Sequence, residues 1–326
     1  MRHVFCHFVA GVDGDDGSTI AVSSSKDATV HLLRAGCPKP SPLRLPAHAQ
    51  LRSPFDMASD GAHLYIADNG ARRVLKVSLD GSGRLAARSD EHRDASALGG
   101  RPLGDPFGVA VAPAEPPHAP HALCFVSDRA ANRVCALDAA SLRPLYAFCG
   151  ARPACSSADG DASAAPTALA AGAPRAATER FGLSDPCGLA FAAGCLYVCD
   201  RDNGRLVVFD RTGVPLRTVG CAATLRCGGP GTFLGPCGVA VAWGHLFVID
   251  SMGARGKVLQ VLSAAHGAPR RWLALPHAVR LVGVGSSRDA LYVCDMRSGA
   301  EAPLYRCAWG AAAPSTPRAA AAPGRV

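Results

Sequence analysis

The side chains that could do chemistry in this chain include its 14 cysteines, 11 histidines and 26 acidic residues, and their spacing decides what they can do. Zinc needs three or four converging ligands, and the usual structural sites are written as paired CxxC motifs. No CxxC pair occurs, and most cysteines sit inside apolar strand-like stretches such as Cys195–Cys199 and Leu123–Phe125. They read as buried, reduced thiols that behave as small hydrophobes. Among the histidines, His277 directly follows a proline, whereas His63 and His245 precede a different kind of apolar run, so they do not converge. Nucleophilic catalysis needs a nucleophile, a base and an orienting group. Neither a GxSxG elbow nor a phosphate-cradling Gly-Lys-Ser/Thr loop is present. No catalytic residue, metal ligand or cofactor is assigned, and the reading leans away from an enzyme.

The acids that do recur stand in register with an arginine five residues later: Asp68 with Arg73, Asp128 with Arg133, and Asp200 with Arg205. A ring of functional carboxylates is one reading. A turn device, in which Asp caps a tight loop and pairs with the arginine, is the better one. Loops 68–73, 128–133, 200–205 and 250–257 also carry Arg72, Arg129, Arg201 and Arg255, which are the candidate binding residues. Acids at Asp90, Glu91, Asp94 and Asp105 dilute any basic footprint on the same face.

These residues are positioned by a repeating set of phrases. The first is Pro-x-Gly followed by alternating apolar residues, at Pro106–Val111, Pro186–Phe191 and Pro236–Val241. A variant at Pro54–Ala58 has Asp56 where the others have Gly108, Gly188 and Gly238; Ala278 holds the place in a degenerate last copy. The second phrase ends on Asp, as in Leu64–Asp68, Cys124–Asp128, Leu196–Asp200, Leu246–Asp250 and Leu291–Asp295. The third begins with a basic residue, as in Arg73–Val77 and Arg205–Phe209. Each is short, β-branched or aromatic, and bounded by Gly, Asp or Asn, which is a strand signal. A weaker first copy places Ile20–Val22 and Val30–Leu33 as the second and third strands. The copies recur at about 45–80 residues, the size of a propeller blade. One small sheet with two apolar faces cannot bury both alone, whereas a ring of such sheets buries them all.

In their order, Pro-x-Gly-apolar, Leu-Tyr-Val-x-Asp and Asn-x-Arg-Val resemble the NHL-repeat family over roughly residues 50–309, although the first copy also looks WD-like. The resemblance implies a propeller and usually a binding role, with enzymes and RNA binders among its members. The expected fold is all-β, a single six-bladed propeller over 1–309. Its last blade should have three strands, because Gly310–Pro314 has little β propensity. The Ala/Ser/Gly/Pro-rich segment at about 150–180 is expected to be a mobile insertion, and 310–326 a disordered Ala/Pro/Arg tail.

The formal charge is +8, yet of 34 basic residues only Lys26, Lys39, Lys76 and Lys257 are lysine, which looks like composition bias. No run approaches the roughly 18 apolar residues of a membrane helix, and the N-terminus is too short and polar for a secretory signal. A soluble, cytoplasmic protein is expected. The leading function is a non-catalytic scaffold for protein–protein interaction. RNA binding through the Arg-bearing loops is the alternative, followed by a divergent hydrolase or lyase acting in the central channel.

Overall fold

The computed structural model describes residues 9–12, 19–34, 40–80, 82–92, 96–148, 181–222, 229–250, 258–274, 281–286, 290–295 and 304–308. The expectations for 150–180 and 310–326 lie outside these residues. Six antiparallel sheets follow one another along the chain as the blades of a β-propeller. Blade one is Val9–Val12, Thr19–Ser24, Thr29–Arg34 and Ser41–Pro42. Blade two is Pro54–Ser59, His63–Asp68, Arg73–Ser78 and Leu85–Arg88. Blade three is Pro106–Ala112, Leu123–Asp128, Arg133–Asp138 and Pro144–Phe148. Blade four is Pro186–Ala192, Cys195–Asp200, Arg205–Asp210 and Pro215–Val219. Blade five is Pro236–Ala242, His245–Asp250, Val258–Ser263 and Pro269–Ala274. Blade six is Leu281–Ser286, Ala290–Asp295 and Leu304–Ala308, three strands among the described residues. A short parallel pair, Cys221–Ala222 with Thr232–Phe233, lies in the connection between blades four and five.

Second and third strands read as near-continuous apolar runs because neighbouring blades cover both of their faces. Leu64, Tyr65, Ile66 and Ala67 are all buried, as are Leu206 through Phe209. The outermost strands alternate instead: in Pro215–Val219, Leu216 and Thr218 are exposed while Val219 is buried. The ring closes by packing between its ends, where Ile20 and Val22 of blade one meet Ala290, Tyr292 and Cys294 of blade six.

The Pro-x-Gly phrase is a β-bulge. In blade three Pro106 pairs with Asp128 and Val109 with Val126, so the first strand carries an extra residue between them. The same shift occurs in blades two, four and five, and in blade six it falls between Leu281 and Gly283, so Gly283 and not Ala278 holds the glycine place there. A bulge breaks the ladder and re-aims what it carries. It releases the Gly108 amide, which donates to Ser127 Oγ at 2.7 Å, and the same hydroxyl donates to the Cys187 carbonyl of blade four at 2.7 Å. Glycine is required here by close approach: a Cβ at Gly108 would stand 2.3 Å from the Cys187 oxygen, and one at Gly188 would stand 2.7 Å from the Cys237 oxygen.

Candidate functional site

Two places gather polar groups: the face on which second strands end and first strands begin, and the axial channel beneath it.

On the face, four strand-ending aspartates reach back to the entry of their own blades. Asp68 accepts the amides of Arg52 and Ser53, both at 2.9 Å. Asp128 accepts those of Gly104 at 3.2 Å and Asp105 at 2.9 Å. Asp200 accepts Ser184 at 2.7 Å, and Asp250 accepts Leu234 at 2.8 Å and Gly235 at 2.9 Å. These amides lie just before the proline that opens strand one, not in the turn that follows the aspartate. The arginines finish the clamp. Arg73 bonds Asp68 at 3.1 Å and the Gln50 carbonyl at 2.7 Å. Arg133 bonds Asp128 at 2.8 Å and the carbonyls of Leu98, Arg101 and Pro102. Arg205 bonds Asp200 and the Gly182 carbonyl, each at 2.7 Å. Aspartate thus takes the donors, and arginine the acceptors, of the chain entering the blade.

Of the four candidate binding arginines, two come together on one acid. Arg72 is exposed and has left-handed backbone (φ 54°). Arg129 and Arg201 converge on Asp185, Arg129 through Nε and Arg201 through Nη1 at 2.7 Å. Burial alone would raise the Asp185 pKa, but Arg129 and then Arg201 hold it below the usual carboxylate range. Arg255 lies outside the described residues. Arg129 also stands over the Phe107 ring at 4.9 Å, and Phe107 lies 4.9 Å from Phe55 between ring centroids.

The axial channel encloses about 190 Å³. Its wall comes from the first strands: Asp56–Ser59, Val109–Val111, Gly188–Phe191, Gly238–Val241 and Val284–Ser286. Every first strand is an edge strand of its sheet. A strand's face shows alternate residues, whereas its edge shows all of them. Consecutive residues line the channel, so its wall is largely main-chain amide and carbonyl. Among the described residues Asp56 is the one ionisable side chain in that wall. Its Oδ1 accepts the Met57 amide at 2.8 Å, and its Oδ2 accepts the Val109 amide of blade three at 3.1 Å. Burial pushes the Asp56 carboxyl up to about 7, against the smaller lowering from those two amides.

Nearby thiols are inert at neutral pH: burial pushes Cys187 and Cys199 well above the ordinary thiol range. Most of the described cysteines are buried thiols outside any disulfide, as their apolar surroundings lead one to expect; Cys221 is exposed and Cys294 is disulfide-bonded. Among the described residues no cluster of three or more His, Cys, Asp or Glu could hold a metal ion. Among them, too, no helix is long and apolar enough to cross a membrane.

No protein-family sequence profile matches the chain, and neither does any curated protein. Solved propeller structures do. A streptogramin B lyase matches with a TM-score of 0.54 at 12% identity over 94% of this chain and 80% of that one. The nidogen/laminin complex gives 0.55 at 14% identity over 86% and 84%. A protein of unknown function from Bacteroides thetaiotaomicron gives 0.59 at 12% identity over 94% and 70%. At these identities the likeness shows the propeller fold, and the functions of the neighbours differ among themselves.

Proposed function

We propose that this propeller is a non-catalytic scaffold of NHL type that binds another protein. The observation that supports this most is the outer rim of three consecutive blades. Leu145 on blade three is 41% exposed, Leu216 on blade four 50%, and Trp272 on blade five 39%. Each stands on an outermost strand, and Val214 beside Leu216 adds to the apolar surface. Exposed apolar side chains on the outer strands of three consecutive blades suit a protein partner. Exposed Arg143, Arg270 and Arg271 beside them suit a partner that carries acids around its apolar anchors. One solved neighbour is itself part of the nidogen/laminin complex. On the loop face, Arg129 and Arg201 are engaged by Asp185, which weakens the RNA reading.

The test is affinity capture with the wild-type chain and with a Leu216→Asp/Trp272→Asp variant. The reading expects a stoichiometric protein partner with the wild type, lost in the variant, with both chains melting alike. Equal capture by both would remove the rim from consideration. Salt-dependent binding of single-stranded RNA, lost on Arg72→Ala, would favour the nucleic-acid alternative instead.

A further inference from the structure

We propose that the axial channel is a binding site for a small primary ammonium ligand, seated with its charged nitrogen on the Asp56 carboxylate. This site is separate from the rim and does not depend on it.

The first argument is placement. The blade-two bulge falls between Pro54 and Met57 and so contains Asp56. Where blades three, four and five have glycine at this position, blade two presents a carboxylate that reaches the neighbouring first strand of blade three at Val109. The channel runs from Asp56 to Ser59, about 10 Å at the rise of an extended strand.

The second argument is charge. Each Asp56 oxygen accepts one main-chain amide and keeps a further lone-pair direction. Among the described residues no Lys or Arg pairs with it. A buried carboxylate without a counter-charge is costly, and a ligand cation removes that cost. An ammonium group brings three donors, which the carboxylate and the main-chain carbonyls of the strand edges can accept.

The third argument is access. At the Asp56 end blades three to five pinch together: a Cβ at Gly188 would lie 2.9 Å from the Gly238 Cα. The Arg129 guanidinium over Phe107 also stands at that end and repels cations. The opposite end presents the uncharged residues Ser59, Val111, Phe191, Val241 and Ser286. A cation therefore enters there, and the volume of about 190 Å³ suits a small one. Among the described residues Cys199 interacts electrostatically with Asp56, and burial holds its thiol neutral; the Arg129 guanidinium at the same end pairs with Asp185.

The experiment follows the melting midpoint of the full chain in propylammonium, tetramethylammonium and sodium chlorides at equal concentration, at pH 8 and pH 5. Propylammonium should raise the midpoint by several degrees at pH 8, and much less at pH 5, where the carboxyl is protonated. Tetramethylammonium has no N–H and should match sodium at both pH values. Asp56→Asn should abolish the propylammonium effect. Equal midpoints in all three salts at pH 8, or an undiminished propylammonium shift in Asp56→Asn, would overturn the proposal. If that variant does not fold, the wild-type comparison across salts and pH decides alone.

Discussion

The Asp56 carboxylate of blade two accepts the main-chain amide of Val109 in blade three at 3.1 Å, so one acid ties two blades together at the axis. Burial raises its pKa to about 7, against roughly 3.9 in an unfolded chain. The folded state therefore holds this proton more tightly than the unfolded state. The resulting stability is complete below about pH 4, falls as pH rises towards 7, and is flat above that. An Asn at this position has no such titration. The unfolding free energy of wild type minus Asp56→Asn should drop by about 2–3 kcal/mol between pH 5 and pH 8. Urea unfolding of both chains at the two pH values measures it. A constant difference would mean that Asp56 does not titrate in this window.

The Asp–Arg clamps predict a larger loss than an exposed turn pair would give. Asp128 is fully buried, and it serves two amides as well as Arg133. Asp128→Ala strands a buried guanidinium and should cost about 3–5 kcal/mol. Arg133→Met removes the other half, including the bonds to the carbonyls of Leu98, Arg101 and Pro102. Because both hold the same entering chain, the double variant should cost clearly less than the sum of the two. Additive losses in denaturant titrations would show that the two halves act separately.

The second strands were legible in the sequence because Leu64–Asp68 and its counterparts are buried on both faces and so read as dense apolar runs ending on a polar residue. The partners of that residue were not legible. Asp68 bonds Arg52 and Ser53, which lie 16 and 15 residues back along the chain, so the contact exists only once the blade is assembled. Asp56 was visible as a lone carboxylate among glycines. One carboxylate makes no set of converging side chains, and the rest of the channel wall is mostly main chain, which every residue type supplies. The bulge at each Pro-x-Gly is a property of pairing and has no signature in one strand alone. The outer strands that carry Leu145, Leu216 and Trp272 give no comparable signal in the sequence because they are half exposed and lack the long apolar runs of the inner strands.

Ser127 joins blades three and four through one hydroxyl, accepting from Gly108 and donating to the Cys187 carbonyl. Ser127→Ala leaves a buried amide and a buried carbonyl without that partner. It should cost about 1–3 kcal/mol. Amide exchange at Gly108 should quicken along with the loss of stability. An unchanged exchange rate would place the hydroxyl outside the blade junction.

Packing at the axis sets a sharper test of the ring. A Cβ at Gly108 would meet the Cys187 oxygen at 2.3 Å, the Leu189 nitrogen at 3.0 Å and the Gly188 Cα at 3.1 Å. All three are main-chain atoms of blade four, so no side chain can rotate away and the two blades must separate. Overpacking of this kind costs about 1–3 kcal/mol, and more where the backbone resists. Gly229, in the connection to blade five, is the control, because an added Cβ there meets nothing within 4 Å. Gly229→Ala should leave stability within about 0.5 kcal/mol of wild type. Gly108→Ala should lower the urea midpoint markedly and widen the channel at its narrow end. If both substitutions behaved alike, the close approach of blades three and four would not be what demands glycine.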